Sequence, residues 1–179
     1  MKKYIYTICI LAILAMGCSS KKLDPSEVKS LLLQAKAYPT VVELRVFCND
    51  TETAKLVHQK GLIEQGLLTA QLAHTQQDVG KPLIYFTSKA DPYLIKTSDT
   101  LKSIDVQKVK VAVEDFLEVT DIQYTPGNTR ALVTYTTRMT NMTPFAAILD
   151  KPIENTSTRQ TSFTLTAHGW EWDKKIRKL

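Results

Sequence analysis

Apolar and polar residues alternate with period two over much of the chain's second half. Val109, Val111 and Val113 stand between lysine, alanine and acid, and Glu114-Asp115-Phe116 breaks the phase as a bulge or strand bend would. Leu117 to Tyr124 resumes as strand, and Thr125-Pro126-Gly127-Asn128 is a turn. On the returning strand Ala131, Val133, Tyr135 and Thr137 face one way, opposite Arg130, Leu132, Thr134 and Arg138. Asn141 to Ile153 reads as an excursion that lays the apolar stretch Phe145 to Leu149 across the sheet. The chain then returns as Arg159 to Ala167, turns at His168-Gly169 and finishes as Trp170 to Ile176.

The first half is mixed. Asp24-Pro25-Ser26-Glu27 opens a helix whose stripe of Val28, Leu31, Leu32 and Ala35 runs to about Ala37 before Pro39 ends it. Thr40 to Phe47 is a strand, and Asn49-Asp50-Thr51 caps a second helix that stops near Gly61. Short strands follow in Pro82 to Thr87 and Tyr93 to Ile95. The expected fold class is therefore α+β, with N-terminal helices packed on a twisted antiparallel C-terminal sheet. A curved-sheet cone of the cystatin or nuclear-transport-factor type is the alternative. Core candidates are Leu31, Leu32, Val109, Val111, Val133, Tyr135, Phe163 and Leu165.

The first twenty residues follow a different logic. Lys2 and Lys3 precede an apolar run from Tyr4 to Met16, too short to cross a bilayer as a helix of about 20 residues. Leu14-Ala15-Met16-Gly17-Cys18 resembles the bacterial lipobox, with Ala15 where leucine is commonest and Leu14 one place early. The resemblance implies cleavage before Cys18, acylation of the Cys18 thiol and attachment to one leaflet through two or three chains. Several chains hold where one would not, because each buried methylene adds about 0.8 kcal/mol. Ser19 in place of Asp implies transfer to the outer membrane, with the periplasmic face expected over the cell surface. The resulting division is a signal at 1–17, a tether at 18–23 and a single domain at 24–179. That domain has a helical and short-strand part at 24–103 and antiparallel strands at 104–179.

Removing the signal changes the charge. The chain has 23 basic and 18 acidic residues. Without Lys2 and Lys3 the balance is 21 against 18, and Lys174, Lys175, Arg177 and Lys178 account for four of the remaining cations. The body is nearly neutral, so a nucleic-acid partner is not expected. The four tail residues are instead candidate membrane contacts beside the anchor, each adding on the order of 1 kcal/mol at an anionic surface. Residues 51–95 resemble the helix-then-hairpin layout of a winged-helix unit, with Gly66-Leu67-Leu68 leaving the helix. Outside the cytoplasm such a unit would be a structural or protein-contact module.

Candidate chemistry is sparse. Cys9 leaves with the signal and Cys18 takes lipid, so Cys48 stands alone, on the apolar face of its strand. The three histidines, His58, His74 and His168, have no metal-ligand spacing, and neither a cofactor nor a metal is expected. Gly61 to Gly66 is followed by two leucines and is not a phosphate loop. No Gly-x-Ser-x-Gly elbow occurs. Glu114, Asp115, Glu118 and Asp121 form the densest acidic cluster, expected as a solvated strand edge, with a carboxylate-pair hydrolase the weaker reading. Trp170 and Trp172 share one strand face, as core anchors or as an exposed aromatic platform. The function expected is that of a non-enzymatic, membrane-anchored envelope lipoprotein with a protein partner in the envelope. The alternative is a periplasmic binding lipoprotein for an apolar or lipid ligand.

Overall fold

The computed structural model of the chain describes residues 22–178, with side chains from Lys22 to Lys174. The first helix, α1 (Pro25–Gln34), starts where Asp24 accepts the backbone N–H of Ser26 at 2.7 Å and Pro25 supplies a helical φ without needing a donor partner. It ends three residues before the expected Ala37, because Lys36 enters the left-handed region (φ 54°) and Ala37 N–H turns back to the Leu32 carbonyl at 3.0 Å. Strand β1 (Thr40–Phe47) follows, then α2 (Thr51–Gln59), capped by Asp50, which accepts from both the backbone and the hydroxyl of Thr53. Short strands β2 (Leu68–Ala70) and β3 (Ile84–Phe86) pair with each other, and β4 (Leu94–Ile95) and α3 (Asp99–Lys102) lead into the main sheet.

That sheet is antiparallel throughout. It comprises β1, β5 (Val106–Tyr124), β6 (Arg130–Thr140), β7 (Thr156–Thr166) and β8 (Gly169–Lys178) in the order β1-β5-β6-β7-β8, with β4 also on β5. Strand β5 carries one extra residue at each of three places. Val111 is skipped opposite β1, and Leu117 and Thr120 are skipped opposite β6. Each bulge bends the strand and increases its twist, and together they curl the sheet.

The expected α+β arrangement of helices packed on a sheet is corrected by this geometry: the protein is mostly β, a curled antiparallel sheet with a few short helices. The 19 residues of β5 alone equal α1 and α2 combined. Each helical apolar stripe covers only a patch. Val28 and Leu32 are the fully buried residues of α1, and Ala54 and Val57 those of α2. The sheet wraps round these patches, so no helical layer forms. Pro82 to Thr87 and Tyr93 to Ile95 do not pair with each other. Ile84–Phe86 pairs back to Leu68–Ala70, and Leu94–Ile95 joins β5 opposite Lys108 and Val109. Strand β1, from the N-terminal part, joins the main sheet on β5.

Two apolar clusters fill the curl. One joins Val46, Val57, Leu62, Leu83, Val109 and Phe145 around α2. Phe145 comes from the excursion after β6, where Pro144–Ile148 forms a short 3-10 helix. The other joins Val28 and Leu32 of α1 to Val133 and Tyr135 of β6, Phe163 of β7 and Trp170 of β8. Of the expected core residues, Leu32, Val109, Val111, Val133, Tyr135 and Phe163 are fully buried, and Leu31 and Leu165 pack at the margin.

Candidate functional sites

Cys18, the expected lipidation site, lies outside the described residues, as do the side chains of Lys175, Arg177 and Lys178. Leu23 is buried at 3% exposure, and its carbonyl accepts the Tyr124 hydroxyl at 3.1 Å. Tyr124 ends β5, so residue 23 is pinned beside the β5–β6 turn, near β8. Of the basic tail, Lys174 is exposed and stands with Nζ 5.9 Å from the Trp172 ring centroid, in cation–π contact.

The two tryptophans take the core reading. Trp170 is buried at 3% exposure and packs at 6.1 Å from the Tyr124 ring. Trp172 is half-buried against the same cluster, and its indole Nε1 donates to Thr161 Oγ1 at 2.7 Å. With one ring enclosed and the other fixed by its polar edge, the pair is not an exposed platform.

The acidic cluster divides, and the expectation of a solvated edge is corrected at Glu114. Bulge Val111 shifts the face on which β5 residues point, so Glu114 turns inward, 5% exposed. Its Oε1 accepts from Thr137 Oγ1 at 2.7 Å and from Arg159 Nε at 3.0 Å, with a second guanidinium nitrogen also at 3.0 Å. The three residues belong to three consecutive strands. Thr137 is itself fully buried and also donates to the Ser157 carbonyl. Asp115 accepts Thr140 Oγ1 at 2.7 Å, while Glu118 and Asp121 are exposed. The carboxylates thus do not converge as an acid–base pair. Glu114 is engaged by an ion pair and a hydroxyl, an arrangement that holds strands in register.

Cys48 is buried, as its place on the strand pattern indicated, and its thiol points to the Val46 carbonyl at 3.7 Å. Burial pushes the thiol up to about 11, the opposite of an activated nucleophile. Its own carbonyl has a structural task, accepting the N–H groups of Leu83 and Ile84 at 2.8 and 2.9 Å and so fastening β3 to the end of β1. The histidines lie apart. His58 is half-buried on α2, exposed His74 bonds Asn49 Oδ1 at 2.9 Å, and exposed His168 sits in the β7–β8 turn.

Two buried features escaped sequence reading. The hydroxyls of Tyr38 and Tyr135 meet at 3.1 Å, and Phe116 stacks on Tyr135 at 5.6 Å. Tyr38 lies in the connection between α1 and β1, where period gives no signal. Among the described residues no group of three or more histidines, cysteines or acids is placed to hold a metal ion, and no helix is long and apolar enough to cross a membrane. No family model, curated protein or solved structure matches the chain.

Proposed function

We propose that the chain is a lipid-anchored protein of the bacterial envelope, held in the outer membrane through Cys18 and facing the periplasm, whose folded domain is a non-catalytic interaction or structural module. The observation that carries this reading is the lipobox ending at Cys18 followed so closely by the folded body at Leu23. Five residue steps reach at most about 18 Å even when fully extended. A domain tied that closely works at the membrane surface, and the end of the sheet carrying Tyr124 is the end nearest the anchor. The buried carboxylate of Glu114, with Thr137 and Arg159, is spent on joining three strands. The space between α1 and the sheet is filled by Leu32, Tyr38, Tyr135, Phe116 and Phe163, which favours an interaction module over a carrier of an apolar ligand.

Crosslinking in intact cells, followed by recovery of the chain from wild-type and Cys18→Ala strains, tests the reading. Envelope proteins captured with wild type and lost with the variant are the expected result. Native mass spectrometry showing a co-purified lipid in stoichiometric amount would replace the interaction module by a lipid carrier.

A further inference from the structure

Strand β1 ends the path of the main sheet, and its outer edge carries no strand among the described residues. The inner edge is fully used, with all eight residues paired from Thr40 opposite Glu114 to Phe47 opposite Val106. Because the extra residue of the adjoining bulge, Val111, belongs to β5, β1 itself is uninterrupted. An unbroken eight-residue edge is a template for another strand, and protein edges of this kind are usually blunted by bulges, prolines or inward charges. Here Pro39 stops just short of the strand.

The side chains of that edge have a symmetry. Leu44 and Val46 pack into the core around α2, whereas Val41, Glu43, Arg45 and Phe47 are exposed, the two apolar ones at 50% each. Centred on Leu44, the strand is complementary to itself in the antiparallel sense. Val41 falls opposite Phe47, Val42 opposite Val46 and Glu43 opposite Arg45, each pair occurring twice. Directly opposed residues lie on one face of a sheet, so the Val41–Phe47 and Glu43–Arg45 pairs form on the exposed side and the Val42–Val46 pairs on the core side. Moving the centre to Glu43 opposes two glutamates, and moving it to Arg45 opposes two arginines. A shift by one residue turns one copy's core face outward. Charge and pleat therefore select a single register. Among the described residues of one copy, Glu43 pairs only with Lys108, from the β5 side, and Arg45 has no ion pair. The second copy's Arg45 would approach Glu43 from the open side.

We infer that β1 is a self-association surface. Two copies of the chain join through antiparallel β1–β1 pairing about a twofold axis at Leu44, making one continuous sheet. This does not depend on lipidation at Cys18.

Sedimentation of the full chain in detergent, in wild type and two variants, tests it. Wild type sediments as a dimer. Arg45→Glu, which sets like charges opposite each other, shifts it to monomer, and Glu43→Arg with Arg45→Glu restores the dimer. A monomeric wild type, a dimeric Arg45→Glu variant, or a double variant that is folded by circular dichroism yet monomeric overturns the inference. A test free of charge effects mixes copies bearing Glu43→Cys with copies bearing Arg45→Cys. Opposed residues in an antiparallel pair stand about 4.5–5.5 Å apart at Cα, within disulfide reach, whereas each introduced cysteine is two positions out of step with itself. Oxidation is expected to link the mixture and to link neither variant alone. Absence of that difference overturns the inference even if the charge variants fail to fold.

Discussion

Buried Glu114 and half-buried Arg159 form an ion pair at 3.0 Å although strand β6 lies between their own strands, β5 and β7. Thr137 on β6 donates to the same carboxylate oxygen, so the contact crosses all three strands at the middle of the curl. Breaking one side of a buried pair costs more than never having built it, because the other charge is left dry and unpaired. Arg159→Met is expected to lower stability by about 3 kcal/mol, read from the urea midpoint. Glu114→Leu combined with Arg159→Met is expected to recover most of that loss. Two losses that simply add would show the pair is not a coupled unit.

Cys48 should be chemically silent in the native state. With its thiol at about 11, roughly one molecule in a thousand carries a thiolate at pH 8, and the group is buried besides. Labelling by a thiol reagent at pH 8 should be slow when folded and fast in urea. The linkage has a definite sign. The unfolded thiol ionises near 8.5, lower than in the folded state. The folded state therefore holds its proton more tightly, and the resulting stability is full below that pH and is lost as pH rises towards about 11. Cys48→Ala should flatten this decline.

Asp50 stabilises α2 as an ionised cap. Hydrogen bonds from the Thr53 hydroxyl and backbone N–H hold its carboxyl below the usual carboxylate range. Asp50→Ala is expected to cost about 1 kcal/mol. Since the folded value is depressed, the cap's contribution is full above the ordinary carboxylate range and is lost as pH falls below that range through the lowered folded value. A difference between wild type and Asp50→Ala that stays constant down to pH 2 would contradict this.

Gly169 begins β8 at φ 114°, a conformation that side-chain-bearing residues rarely adopt, and a Cβ placed there would meet nothing within 4 Å. Gly169→Ala should therefore destabilise through the backbone alone, by about 1–3 kcal/mol, seen as a lower melting temperature. A neutral effect would mean that the β7–β8 turn relaxes freely.

The strands were the most legible part of the chain. Period two identified the buried face Ala131, Val133, Tyr135 and Thr137, and Thr125-Pro126-Gly127-Asn128 marked the turn between β5 and β6. Bulges were harder, since an extra residue shows only as a phase slip. The slip was expected at Glu114 to Phe116, whereas the extra residues are Val111, Leu117 and Thr120. That displacement hid the inward turn of Glu114 and made an acidic run look like a solvated edge. The helices misled for another reason. An apolar stripe gives the side a helix buries but not how much sheet curls around it, so α1 and α2 implied a layer that three bulges in β5 make unnecessary. The meeting of Tyr38 and Tyr135, 97 positions apart, has no local signal at all.

The proposed lipid anchor at Cys18 is tested most directly by radiolabelled palmitate. Wild-type chain should incorporate the label and fractionate with the outer membrane, and Cys18→Ala should do neither while keeping the folded domain. Equal labelling of both chains, or an unlabelled wild type released as a soluble protein, would contradict the account.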